Sequence, residues 1–181
     1  MGQVQAELQQ YLANWHFIPP VNFHVTLRFF GEVPEEKIKD IDAACCDIVR
    51  QLHPLALHWN NIDFFGSPNS ARVLFIGAEE CEELKALANR IMATFPGKDQ
   101  RKEFRAHVTL AKARKHMEVG MARMNSNMLR RLRELGRIGP NPIEVDLTTV
   151  HREIVMMDTI WVGRAVEYEV REHYPLTLAS E

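Results

Sequence analysis

The sequence predicts an α+β protein with a bilobal, pseudo-twofold arrangement of two mostly antiparallel sheets, outer helices and a central cleft. Two observations predict this fold. The tetrapeptide His-Val-Thr-Leu occurs at 24–27 and again at 107–110, and strands and helices follow one another in the same order around both copies. The length of 181 residues fits one domain. We therefore interpret residues 1–181 as a single domain of two interleaved lobes.

The first repeat extends from the N-terminus to the strand that follows its second helix. Helical spacing of apolar residues predicts a helix at 4–15, and the β-rich segment 22–31, which contains the first HVTL, is predicted to be a strand. Pro34 begins a helix that extends to residue 52. The run at 55–62 is typical of a strand.

The second repeat and the C-terminal hairpin follow a turn predicted at 66–70. The expected elements are strand 72–77, helix 79–95, strand 104–113, helix 124–136, strand 143–150, and strands 152–163 and 164–178 joined near Gly163. The position in the first repeat that corresponds to strand 72–77 falls before Met1, so the opening strand is missing from this chain. A start-site artefact, a truncation and a genuine loss are all open. An exposed sheet edge of this kind favours self-association.

Composition bounds the partners and the location. Hydrophobic residues make up 46% and charged residues 25%, and the net charge is −2, so no global field attracts nucleic acid and a local basic cleft must bind any phosphate. The three cysteines form no CxxC pair, which argues against a disulfide framework or a zinc site. No apolar run approaches the ~18 residues of a membrane span. We expect a cytoplasmic protein.

Alternation along the two HVTL strands separates an apolar side from a polar side. The polar sides are predicted to carry six candidate site residues: His24, Thr26 and Arg28 in the first copy, and Arg105, His107 and Thr109 in the second. Folding requires the apolar side, whereas nothing about folding requires the polar one. For the two arginines, a solvated surface role is the competing interpretation.

Two imidazoles and two hydroxyls on facing strands suit phosphoryl chemistry. One neutral histidine can take a proton from attacking water while a protonated one gives a proton to the leaving oxygen. The threonines can donate to non-bridging oxygens, and arginine adds charge. Neither HVTL histidine has a Cys or carboxylate within two residues, so we expect no metal and no other cofactor.

Four segments together carry a family resemblance. These are NFHVTLRFFGEV, SPNSARVLFIG, FRAHVTLAKA and EYEVREHYPL. The chain resembles the 2H phosphoesterase superfamily and, within it, the RNA 2′,3′-cyclic phosphodiesterases, historically called 2′-5′ RNA ligases. Three features depart from the family pattern: the missing first strand, Ala106 and Lys112 in place of the common Pro and Arg, and a long connection at 114–127. That connection is either a lid or a tolerated surface loop.

The resemblance implies a hydrolase that opens 2′,3′-cyclic phosphates at RNA or nucleotide ends and leaves a 2′-phosphate, without a metal. It implies one catalytic histidine as acid and one as base, with Thr26 and Thr109 binding the phosphate, and it places Tyr168 on the family's tyrosine. We assign His107 as base and His24 as acid, the reverse assignment being open. Weak reverse 2′-5′ ligation is also implied, and no DNA partner is expected.

Two other functions are open from the sequence. One is a module that binds nucleotides or RNA ends without hydrolysis, which the missing strand favours and the intact His and Thr pairs oppose. The other is a phosphodiesterase for different esters, such as 2′-5′ oligoadenylates. Turnover of a cyclic-phosphate substrate would distinguish an enzyme from the binding module. A comparison of turnover across substrates would distinguish the cyclic phosphodiesterase from a phosphodiesterase for other esters.

Overall fold

The computed structural model describes residues 1–10, 12, 15–50, 52–66, 71–96, 104–113, 147–163 and 165–177. The helices in these residues are α1 (Gly2–Gln9), α2 (Glu35–Val49) and α3 (Glu82–Thr94), with a 3-10 turn at Pro20–Asn22. The strands are β1 (Trp15–Phe17), β2 (Leu55–Phe65), β3 (Val73–Ala78), β4 (His107–Ala113), β5 (Leu147–His151), β6 (Glu153–Val162) and β7 (Ala165–Pro175).

The strands form two sheets. One has five strands in the order β1-β4-β3-β2-β5, and the other is the β6–β7 hairpin. The pairs β1–β4, β3–β4, β2–β3 and β6–β7 are antiparallel. Gly163, with φ of 64°, turns the hairpin, a backbone conformation that glycine adopts without steric cost. The α+β class with antiparallel sheets is confirmed.

The core of the larger sheet lies in its central strands. Leu74, Phe75 and Ile76 of β3 and Leu110 of β4 are completely buried. A strand that reads as a continuous apolar run, as Val73–Ala78 does, is buried on both faces. The buried side chains of β3 and β4 therefore have little conformational freedom. The polar residues that alternate with them along β4 are held in fixed positions as a result.

The chain groups into two compact units, each made of three segments. Unit 1 contains Met1–Val25, His58–Glu79 and Ala106–Leu147, and unit 2 contains Thr26–Leu57, Glu80–Arg105 and Thr148–Glu181. In unit 2, α2 packs on α3 and on β7. Helix α3 buries Leu84, Leu87, Ala88 and Ile91, the i, i+3, i+4, i+7 spacing of an amphipathic helix.

Two predicted elements near the N-terminus are wrong. The helix expected at 4–15 ends at Gln9, and Trp15 is instead a buried residue of β1 paired with Ala113. The strand expected at 22–31 does not form, and only Val25 makes an isolated antiparallel bridge, to Val108. The prolines at 19 and 20 lack N–H groups and fix φ near the values of the turn at Pro20–Asn22, so the first residue of the predicted strand lies in a turn instead.

The other predicted elements are confirmed within a few residues, with β2 extending to Phe65. The helix predicted at 124–136, the connection at 114–127 and residues 143–146 lie outside the described residues, as does most of the turn predicted at 66–70. No helix in the described ranges is long and apolar enough to cross a membrane.

Candidate active site

The second HVTL copy lies in β4, which has β1 on one side and β3 on the other. Val108 and Leu110 are buried, whereas His107 and Thr109 are half-buried. This alternation is the one expected of a strand with one apolar and one polar side. The structure therefore confirms that His107 and Thr109 share the face opposite the apolar residues.

Two phenylalanines hold the His107 ring. The ring contacts Phe65 edge-on, with centroids 4.9 Å apart, and Phe75 at 5.3 Å. Phe65 and Phe75 stack on each other at 4.4 Å. Such edge-to-face contacts are favourable and orient the rings that make them. The position of His107 is thus set by packing on β2 and β3.

The first HVTL copy joins the same strand through the bridge between Val25 and Val108. In this antiparallel register His24 lies opposite Thr109, and His107 is its diagonal neighbour. Diagonal neighbours on one face are about 7–8 Å apart and within reach of each other's aromatic side chains. Unit 1 therefore brings both histidines and Thr109 onto one face.

The local backbone orients His24. Its Nδ1 lies 2.8 Å from the carbonyl oxygen of Asn22. Because a carbonyl only accepts, Nδ1 carries the hydrogen and donates it. The turn at Pro20–Asn22, which ends on the accepting residue, fixes this geometry.

The remaining candidate residues belong to unit 2. Thr26 is its first residue, and Arg28 is half-buried, with an Nε that has no hydrogen-bond partner among the described residues. Arg105 is exposed, and half-buried Tyr168 lies opposite Thr159 in the β6–β7 hairpin. Their roles stay predictions.

Sequence reasoning missed the residues that position the histidines. Phe75 looked like an ordinary strand residue and Phe65 fell outside the strand predicted at 55–62, while the Asn22 carbonyl is a backbone group whose role no side-chain pattern reveals. One signal was present: Phe75 lies in the strand that the repeat places beside the second HVTL. The Pro-Pro pair before Asn22 was a second signal, since it favours a turn there.

Four of the described side chains have clearly shifted pKa values. Burial, with the hydrogen bond to Asp42, raises the pKa of Tyr174, and burial raises the pKa of the Cys45 thiol to about 11. Burial lowers the pKa of His151. Lys85 lowers the pKa of exposed Glu80. Shifted pKa values often mark functional sites but also arise in structural clusters, and those of Tyr174 and Cys45 belong to one such cluster with Asp42.

Strand β4 of the antiparallel sheet bears one HxT motif, and the bridge between Val25 and Val108 joins it to the other, which is consistent with the phosphoesterase resemblance. The sequence profile of the 2′-5′ RNA ligase superfamily matches residues 4–151. This match covers most of the chain, and the protein belongs to that superfamily. Among the described residues, no group of three or more His, Cys, Asp or Glu side chains is arranged to hold a metal ion.

Similar proteins carry one functional name. An RNA 2′,3′-cyclic phosphodiesterase of Archaeoglobus fulgidus is 36% identical over 56% of this chain and 58% of its own length. A protein of the same name from Methanothermobacter thermautotrophicus is 26% identical over 77% of this chain and 85% of its own. The chain thus spans little more than half of the first relative and most of the second.

Solved structures share the fold. A Thermus thermophilus protein superposes with a TM-score of 0.71 at 21% identity, covering 99% of this chain and 95% of its own. E. coli LigT complexed with 3′-AMP superposes with a TM-score of 0.67 at 18% identity, covering 98% of this chain and 93% of its own. At these identities the likeness shows the fold alone.

Proposed function

We propose that this protein hydrolyses 2′,3′-cyclic phosphates at RNA or nucleotide ends to 2′-phosphates, with paired histidines as acid and base and without a metal. One observation carries the proposal: the Val25–Val108 bridge sets His24 and His107 as diagonal neighbours on one face of unit 1. A separation of about 7–8 Å leaves room for one phosphate between the two rings. The name shared by the relatives supports this substrate class.

In the proposed reaction His107 accepts a proton from a water molecule whose oxygen attacks phosphorus. The P–O3′ bond breaks, and His24 gives the proton on Nε2 to the departing O3′, so the product is a 2′-phosphate with a free 3′-hydroxyl. The hydrogen bond from Nδ1 of His24 to the Asn22 carbonyl makes Nε2 the nitrogen that exchanges the proton, whether His24 is the acid or, in the reverse assignment, the base. Each histidine contributes roughly 10²–10⁴ in rate.

The threonines and cations complete the proposed site. Thr109 lies opposite His24 and donates its hydroxyl hydrogen to a non-bridging oxygen, and Thr26 does the same from the first motif. Arg28, Arg105 and Tyr168 are the proposed contacts to the rest of the substrate. The same steps with a 5′-hydroxyl in place of water, and with the P–O3′ bond breaking as before, give weak 2′-5′ ligation.

The test is incubation of the protein with an oligonucleotide that ends in a 2′,3′-cyclic phosphate, in excess chelator. We expect a 2′-phosphate product, and we expect His24→Ala and His107→Ala each to lower turnover by roughly 10²–10⁴ while the fold survives. His173→Ala, which removes an exposed imidazole, is the matched control and keeps full activity.

Three results would contradict the proposal in different ways. Full activity in either single variant would remove the paired-histidine mechanism. Tight binding of a nucleotide without turnover would identify a binding module, and faster turnover of 2′-5′ oligoadenylates would identify another substrate. Loss of activity in chelator would indicate a metal.

A further inference from the structure

Asn61, Gly77 and His107 occupy one row across the larger sheet. Asn61 of β2 pairs with Gly77 of β3, and Gly77 pairs with His107 of β4. Residues directly opposite each other project from the same face of a sheet. The Asn61 side chain therefore shares the face of His107, with only a glycine between them.

The missing side chain at Gly77 gives the Asn61 amide its place. A Cβ at Gly77 would clash with the Asn61 amide oxygen and lie a tight 3.2 Å from the amide carbon, so the amide would have to move to admit it. Gly77 lies directly opposite His107. The Asn61 amide therefore occupies the space that a side chain at position 77 would fill. Such a side chain has its Cβ about 4.5–5.5 Å from that of its neighbour. A small molecule bound at His107 is within reach of the amide.

The Asn61 amide oxygen is buried and has no hydrogen-bond partner in the described part of the chain. Buried acceptors are nearly always paired, so an unpaired one indicates a donor that arrives from elsewhere. The register of the strands also shifts between Trp59 and Asn61. A bulge of this kind re-aims the side chains beside it and is common next to active sites.

The neighbouring polar side chains, Glu79 and Asn60, do not share the position of Asn61 in the row of His107. Glu79 pairs with His58 at 3.3 Å and accepts from the Asn60 amide nitrogen at 3.0 Å. The Asn60 amide oxygen also lacks a partner among the described residues. Asn60 is, however, the bulged residue that has no opposite residue on β3, and Glu79 holds its amide. Asn61 is therefore the unpaired acceptor that the register brings into the row of His107.

The reaction itself brings a donor for this oxygen. Attacking water has two O–H groups, and the base accepts only one of them. We propose that the Asn61 amide oxygen accepts the other, so that His107 and Asn61 together orient the water towards phosphorus; this inference rests on the proposed function. Water's oxygen bonds to phosphorus, one proton passes to His107, the P–O3′ bond breaks, and the second proton remains on the new phosphate oxygen.

This role makes Asn61 a determinant of nucleophile choice. An alcohol has a single O–H, which the base takes, so its attack gains nothing from Asn61. The amide oxygen therefore favours hydrolysis over transfer to an alcohol, including the 5′-hydroxyl of a second RNA end.

The test measures both products from a nucleoside 2′,3′-cyclic phosphate in water containing methanol: the 2′-phosphate from water and the 2′-(methyl phosphate) from methanol. Asn61→Leu removes the acceptor at similar volume, and we expect it to lower hydrolysis roughly 10- to 100-fold and methanolysis much less, with KM unchanged. Asn61→Asp keeps an acceptor and should keep the product ratio within about threefold. Asn60→Leu, one residue away on the same strand, is the matched control and keeps both rates.

Gly77→Ala supplies an independent variant, because its Cβ displaces the amide and should shift the product ratio as Asn61→Leu does. An unchanged ratio in both Asn61→Leu and Gly77→Ala would overturn the inference, as would an equal fall of both products. If the unmutated protein forms neither product, the proposed function fails and this inference fails with it. Circular dichroism on each variant separates lost turnover from lost fold.

Discussion

The two HVTL copies have the same four residues but different surroundings. The second copy is part of β4, where it pairs with β3, and Val108 is buried. The first copy makes one bridge, at Val25, and follows a proline-rich turn. Packing by Phe65 and Phe75 holds His107, whereas a hydrogen bond to its own backbone holds His24.

The difference shows that one four-residue motif can be positioned in two physical ways. Packing in a central strand couples the position of His107 to the stability of the core. A local turn couples the position of His24 to a few backbone torsions. Damage to the core should therefore affect His107 and global stability together, and damage to the turn should affect His24 with little change in stability.

The largest effect is expected from Phe75→Ala. Phe75 is completely buried and contacts the His107 ring, so its truncation should lower the free energy of unfolding by about 3–5 kcal/mol. Urea denaturation followed by circular dichroism measures this. Phe29→Ala, at a side chain 69% exposed, is the control and should change stability by less than about 0.5 kcal/mol. Equal losses in both variants would contradict the assigned core.

A smaller loss of stability should distinguish the two residues of the Val25–Val108 bridge. Val108→Ala removes buried methyl groups and should cost about 2 kcal/mol, whereas Val25→Ala, at a half-buried side chain, should cost about 1 kcal/mol or less. Thermal and urea unfolding compare the two directly. If Val25→Ala proved the more damaging, the first copy would be the better anchored one.

The smallest effect on stability is expected from Pro20→Gly. The change frees the turn whose last residue, Asn22, accepts from His24, and it should lower the free energy of unfolding by only about 0.4–1 kcal/mol. Turnover should nevertheless fall several-fold, because His24 is held less firmly and small displacements of a reacting group lower the rate of reaction. Steady-state kinetics on a cyclic phosphate measures this. Unchanged turnover would mean that the turn does not position His24.

The sequence predicted most of the sheet because its strands have unambiguous local signals. Val73–Ala78 is a continuous apolar run, and the alternation in His107–Ala113 matches one buried and one polar side. It failed at Trp15 and at residues 22–31, where local patterns competed with tertiary ones. Trp15 continued a helical pattern, but pairing with β4 and burial of the indole outweighed that propensity.

The sequence by itself led to the proposed chemistry, since two HxT motifs in similar settings require no coordinates to be recognised as a paired set. Only the tertiary structure decided how the members meet. The register between Val25 and Val108 makes His24 a neighbour of Thr109, and the row through Gly77 brings Asn61 to the side of His107. The physical reason is that residue types and periodicity are local properties, whereas strand register is settled by burial and hydrogen bonding between segments far apart in the chain.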